Sequence, residues 1–165
     1  MLHVPNKMSE WIEIVKAHHQ RYSEKDGYAL IINPGADENR LNEIQDHLRW
    51  KFPKNLIEIY RECDGYGISW PGLDVDWNLM PILDLENFAN DVRGWFKETH
   101  PVVASRFFPF FNWGTGDSIG FLADENGISE KLYEFSHDSY EFDEAQNWKD
   151  FIQYEASSIK EFLCR

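Results

Sequence analysis

Asn33-Pro34-Gly35-Ala36-Asp37, continued by Leu41, Ile44 and Leu48 and then by Phe52-Pro53, Leu56, Tyr60 and Asp64-Gly65, is the stretch that decides the fold. Asn-Pro-Gly stops a preceding apolar run and predicts a tight turn. Asp37 is the right residue type, in the right place, to cap a helix whose Leu41, Ile44 and Leu48 share one face at i, i+3 and i+7. Proline disfavours helical geometry in the residue before it but suits a first helical turn, so Phe52-Pro53 predicts the end of that helix and the start of another. The second helix turns Leu56, Ile57, Tyr60 and Cys63 inward, and Gly65 supplies a left-handed stop. None of these residues is catalytic equipment; every one is accounted for by folding.

Working outward, Ser9 predicts the cap of a first helix, with Trp11, Ile12, Val15 and His19 on a buried stripe and an end near Gly27. Tyr28–Ile32 predicts a strand. Tyr66 to Trp77 is irregular and predicts a long loop or loose hairpin. Leu79-Met80-Pro81-Ile82-Leu83 predicts a short strand near an edge, followed by a helix capped by Asp84 and striped by Leu85, Phe88, Val92, Trp95 and Phe96. Phe107–Phe111 is a buried or edge strand. Ile119–Leu122 and Leu132–Phe135, around Asp124-Glu125-Asn126-Gly127, predict a hairpin. From about Asn147 the spacing of Trp148, Phe151, Ile152, Ile159 and Phe162 predicts a final helix. The economical sum is one α+β domain over 1–165, a mainly antiparallel central sheet flanked by helices.

Composition narrows the function classes. Hydrophobic residues at 42% and aromatics at 16% specify a folded protein. Twenty-nine acids against 16 bases give a formal net charge of −13, which argues against direct nucleic-acid binding, since phosphate contacts need a basic footprint. Met1–Pro5 lacks the charged segment and apolar run of a signal peptide, and no stretch is long and apolar enough for a membrane helix, so a cytoplasmic protein without membrane contact is expected. Cys63 and Cys164 fit no metal or redox spacing. The six histidines have no ligand-spaced partners, and no nucleophile elbow, zincin or kinase signature occurs. No catalytic residue, cofactor or metal is expected.

With those residues in place, the chain resembles the SMI1/KNR4 (SUKH) superfamily. Pro34-Gly35-Ala36-Asp37 through Asp64-Gly65 is similar to that superfamily's opening, with Phe52 where Leu is usual and Asp64 where Asn is usual. Pro81-Ile82-Leu83-Asp84-Leu85-Glu86, Phe108-Pro109-Phe110 with Gly114-Thr115-Gly116-Asp117-Ser118-Ile119-Gly120-Phe121, and Asn147–Ile152 continue the likeness over roughly residues 30 to 155. The resemblance implies a non-enzymatic binding domain of α+β fold. Bacterial members resemble immunity proteins that neutralise polymorphic toxins, often nucleases; fungal members act as regulatory scaffolds.

Two regions are the candidate contact surface. From Asp117 to Glu155 eleven acids face only Lys131 and Lys149; the run is either an ordinary solvated face or a surface in which Asp138, Glu141, Asp143 and Glu144 meet the basic cleft of a toxin domain. The second is the loop carrying Tyr66, Trp70, Asp74 and Asp76, where aromatic anchors sit beside carboxylates. The expected activity is occlusion of a basic toxin domain; the alternative is a regulatory scaffold module that binds endogenous partners. Gly114-Thr115-Gly116-Asp117 lacks the lysine and the following helix of a P-loop and predicts a tight turn, with Asp117 capping it.

Overall fold

The stretch from Asn33 to Gly65 folds around one close approach. The computed structural model describes residues 9–22 and 27–165, and in it the chain after the first strand, β1 (Ala29–Ile32), turns back onto the end of α3 (Lys54–Glu62). The Ala36 N–H donates to the Tyr60 carbonyl (2.8 Å) and the Asp64 N–H to the Pro34 carbonyl (3.1 Å). A side chain at Gly35 would put its Cβ 1.9 Å from the Arg61 carbonyl oxygen, so only glycine fits there. Gly65 is not the left-handed stop of α3, which ends at Glu62 with Cys63 already extended; its positive φ (+96°) lets the chain pass against Pro81 into the next strand.

Between these points lies α2 (Glu38–Leu48). Asp37 caps it, accepting the Arg40 N–H at 2.8 Å. The helix ends at Leu48 rather than at Phe52, because Arg49 takes the left-handed conformation (φ 57°). α3 buries Leu56, Ile59 and Tyr60, with Cys63 just beyond it a buried thiol, while Ile57 is only half-buried. The buried Tyr60 hydroxyl donates to the Met80 carbonyl (2.7 Å).

Seven strands form one antiparallel meander in sequence order. They are β1, β2 (Tyr66–Ser69), β3 (Asp76–Leu79), β4 (Phe107–Asn112), β5 (Ser118–Leu122), β6 (Leu132–Phe135) and β7 (Ile152–Ala156). β4 is the middle strand; it tolerates Pro109 because its register with β5 shifts between Pro109 and Phe111. The irregular Tyr66–Trp77 segment is therefore a hairpin, β2–β3, with its tip at residues 70–75. The hairpin predicted from Asn126-Gly127 is β5–β6.

α1 (Glu10–Tyr22), α3 and α6 (Ile159–Cys164) contact one another, with α2 beside α3. The α1 N-terminus is capped twice: Ser9 Oγ accepts the Ile12 N–H, and the Glu62 carboxylate accepts from the Trp11 N–H and the Ser9 hydroxyl. Trp11 and Val15 are buried as expected, but it is His18, not His19, that completes the stripe. The expected end near Gly27 depends on residues 23–26, outside the described set.

Four further expectations are corrected. Strand β3 ends at Leu79, and α4 (Ile82–Gly94) begins at Ile82, not after Asp84. The capping carboxylate comes from a distant part of the chain: Asp64 Oδ1 accepts the Ile82 N–H at 2.7 Å, and Asp64 Oδ2 pairs with Arg40 at 3.3 Å. Trp95 is 52% exposed, because α4 ends before it; Leu85, Ala89, Val92 and Phe96 carry the buried side. The final helix expected from Asn147 is instead a short 3-10 turn (Trp148–Asp150), strand β7, and α6, capped by Ser158. Along β4, Phe107 and Phe108 enter different apolar clusters, as strand alternation requires. The second cluster gathers α5 (Pro101–Arg106), Phe96, Phe135 and Phe151.

Candidate functional site

The meander brings both candidate segments to one end of the sheet. Ser69 and Asp76 flank the tip of β2–β3, Asn112 and Ser118 flank the β4–β5 turn, and Phe135 leads into the 136–147 segment before β7. The β4–β5 turn links the other two: Gly114 lies against the Asp76 carboxylate, and Gly116 lies under the His137 ring. Asp76 and His137, which the sequence keeps far apart, thus touch the same turn.

Placement differs residue by residue. Trp70 is 41% exposed and packs edge-on against Tyr28, ring centroids 4.4 Å apart. Asp74 and Asp76 are exposed, as are Asp138, Glu141, Asp143 and Glu144. Among the described residues, Asp74, Asp76, Glu141, Asp143 and Glu144 make no ion pair; Asp138 pairs only with His137 (3.1 Å). Tyr66 is removed from the set: it is 2% exposed, at the other end of β2, and its ring packs against Phe111 in the core. Burial pushes its phenol pKa up, so it stays neutral.

Phe142 was missed. It is 72% exposed, between Glu141 and Asp143, with its ring edge-on to Tyr140. The available signal was an aromatic set among acids and outside any helical or alternating period. Leu73, at the hairpin tip, is likewise exposed.

The acidic segment is not a loose excursion. Gln146 spans it: its side-chain oxygen accepts the Glu141 N–H (2.9 Å) and its amide nitrogen donates to the Ser139 carbonyl (2.8 Å). The Gln146 carbonyl is in turn bonded by His100 Nε2 (2.7 Å), and His100 Nδ1 meets the Thr99 hydroxyl, which meets the Tyr140 hydroxyl (both 2.8 Å). Glu141, Phe142, Asp143 and Glu144 are thus held on a pre-shaped backbone, which lowers the ordering cost of binding.

At the near edge of the segment, Asp117 Oδ1 accepts the His137 N–H (3.0 Å) and lies 2.7 Å from its Nδ1. Asp117 therefore fastens the segment to the β4–β5 turn and does not cap that turn; Asn112 does so, accepting the Gly114 N–H. The Asp117 bond raises the His137 pKa above 6.5, with Asp138 adding to it. Behind the turn, Trp113 Nε1 donates to Glu134 (3.3 Å), whose pKa is raised by partial burial and by Glu155 and Asp117.

Among the described residues no three His, Cys, Asp or Glu side chains converge to hold a metal, and no helix is long and apolar enough to cross a membrane. A search of curated proteins returns no match. The SMI1 / KNR4 family (SUKH-1) model matches residues 35–163, well over half of the chain and all of its sheet beyond β1, and the chain belongs to that family.

Proposed function

We propose that this protein is a non-enzymatic, cytoplasmic binding domain of the immunity type, which neutralises a basic toxin domain by occluding its cleft. The observation that carries this reading is the gathering of Trp70, Asp74, Asp76, Asp138, Glu141, Asp143 and Glu144 at one end of the sheet, with Phe142 exposed among the acids. Unpaired carboxylates on a stapled backbone steer a cationic partner and fix its register, while aromatic anchors supply most of the binding free energy. Family membership supports a protein-binding role. A nuclease cleft suits such a surface because it must itself be cationic to hold phosphates.

The test is co-expression of this chain with each product of the neighbouring genes, scoring growth and co-purification. Rescue from one toxic product, with a stable complex, is the expected result. Capture of several non-toxic host proteins and rescue from none would replace immunity with a regulatory scaffold role.

A further inference from the structure

We propose that a second binding site, a cationic groove that takes an acidic, partly apolar polypeptide segment of a partner protein, starts at the opposite end of the sheet and runs along α4 and α5. Two adjoining depressions meet at the exposed side chain of Ser105 on α5. One is lined by Arg49 and Lys51 together with Trp50 and the β5–β6 loop; the other is lined by Arg93 and Lys97. Neither is lined by a carboxylate, in a chain whose acids outnumber its bases 29 to 16. Asp124 and Glu125 belong to the neighbouring depression, across Ala123 and Asn126.

Among the described residues none of these four cations makes an ion pair. Arg93 donates only to the neutral Asn90 side chain (2.8 Å), and partial burial lowers its pKa against the pull of Glu86. Arg49 adds a separate observation. It is the only non-glycine residue with positive φ among those described, at a helix-end position that glycine or asparagine fills with less strain. The backbone does not call for arginine there, whereas a groove for anions does.

The occupant follows from the floor between the charges. Trp50 stacks on Phe108 (5.1 Å, 29°) yet remains half-buried, and Leu48 and Ile128 line the same depression. Cations set along an apolar floor match a chain that alternates carboxylates with apolar side chains. A nucleic acid fits poorly, since each phosphate beyond the groove would meet a molecule of net charge −13. None of these residues belongs to the acidic surface, although Arg93 and Lys97 flank Trp95, whose ring is edge-on to His137, so the variants below test the two sites one by one.

The probe is a short fluorescein-labelled peptide alternating glutamate with leucine and serine, titrated against the full chain by anisotropy. A glutamine counterpart and a labelled single-stranded oligonucleotide serve as comparisons. The glutamate peptide should bind at least about ten-fold more tightly than the glutamine peptide, and less tightly as salt is added. Arg49→Glu with Lys97→Glu should abolish that binding, whereas Glu141→Lys at the other end should leave it unchanged. Three results would overturn the proposal: equal binding of the two peptides, oligonucleotide binding as tight as that of the glutamate peptide, or full binding by a double variant that melts like the parent. If the double variant melts early, the single Arg49→Gln and Lys97→Gln variants decide, each expected to weaken the glutamate peptide alone.

Discussion

The two ends of the sheet are built on different principles. At the acidic end the strands are joined by turns and one long segment, so charges and aromatics project past the sheet, and polar side chains such as Gln146 and, from the start of α5, His100 fix the backbone. At the other end helices enter and leave the sheet, and Arg49 and Lys51 border an apolar floor, with Arg93 and Lys97 further along α4. A meander puts alternate connections at alternate ends, which lets one small domain present two surfaces of opposite charge. If the ends are independent, reversing charge at one must leave the other alone. Glu141→Lys with Asp143→Lys and Glu144→Lys should weaken binding to the basic partner by about a thousand-fold, roughly 4 kcal/mol, and flatten its salt dependence. Titration calorimetry at two salt concentrations measures it. Unchanged affinity would remove these residues from the contact, and a matching loss of peptide binding in the groove would break the comparison itself.

The second effect, in stability, sits behind the acidic end. His18 packs among Phe111, Trp113 and Phe162, ring centroids about 6 Å away, and burial lowers its pKa to about 4. Its folded-state pKa lies below the unfolded 6.5, so the stability is fully present above pH 6.5 and drains away as pH falls toward 4, because only the unfolded state gains the proton. The full window amounts to about 3 kcal/mol. Glu161, held down to about 2 mainly by the Ser157 hydroxyl and N–H, acts in the separate window below 4.5. Urea melts at pH 7, 5.5 and 4.5 should show the loss, and His18→Leu should flatten it between 6.5 and 4.5. An unchanged slope in that variant would assign the acid sensitivity elsewhere.

How much of this the sequence discloses depends on whether a signal is local. Asp37 and Pro53 act on their own backbone or their neighbours', and the helices they start lie where the spacing predicts. The cap of α4 comes from Asp64, eighteen residues upstream, beyond the reach of a local reading, which points to Asp84. β7 was hidden for another reason. Phe151, Ile152, Ile159 and Phe162 are all buried and spaced as on one helix, but a 3-10 turn, a strand and a helix each supply part of that spacing. Ser158 Oγ accepts the Glu161 N–H at the true helix start, and the Glu161 carboxylate reaches back one residue further than a capping box does, to the Ser157 N–H. At the site, charge composition locates the acids but cannot show that hairpin β2–β3 reaches the same end of the sheet; that follows only from the register. Phe142 obeys no period, and its exposure is what sets it apart.

A smaller effect tests whether the acidic end depends on a fixed shape as well as on charge. Gln146→Ala removes two hydrogen bonds across residues 139–141 while leaving every charge in place. The expected stability loss is about 1–2 kcal/mol. Affinity for the basic partner should fall about ten-fold, chiefly through faster dissociation, with the salt dependence retained. Surface plasmon resonance separates the two rates. A fall in the association rate alone would mean that the staple serves long-range steering rather than fit.

The smallest expected effect is the titration of His137. Asp117 and Asp138 hold its pKa above 6.5, and Trp95 lies edge-on to the ring. The raised folded-state value means that the latch to the β4–β5 turn is complete below pH 6.5 and is lost as pH rises through that value. NMR of the imidazole protons should place the pKa above 6.5, and Asp117→Asn should bring it down toward 6.5. Loss of the proton also makes the acidic end more negative by one charge, so association with a basic partner should quicken slightly over the same range while the latch loosens. The groove lining contains no histidine, its nearest approach to His137 being Trp95 between Arg93 and Lys97, and peptide binding there should change less than binding at the acidic end. A parallel change at both ends would show that pH acts through the fold as a whole, and the independence of the two surfaces would fail at its most sensitive point.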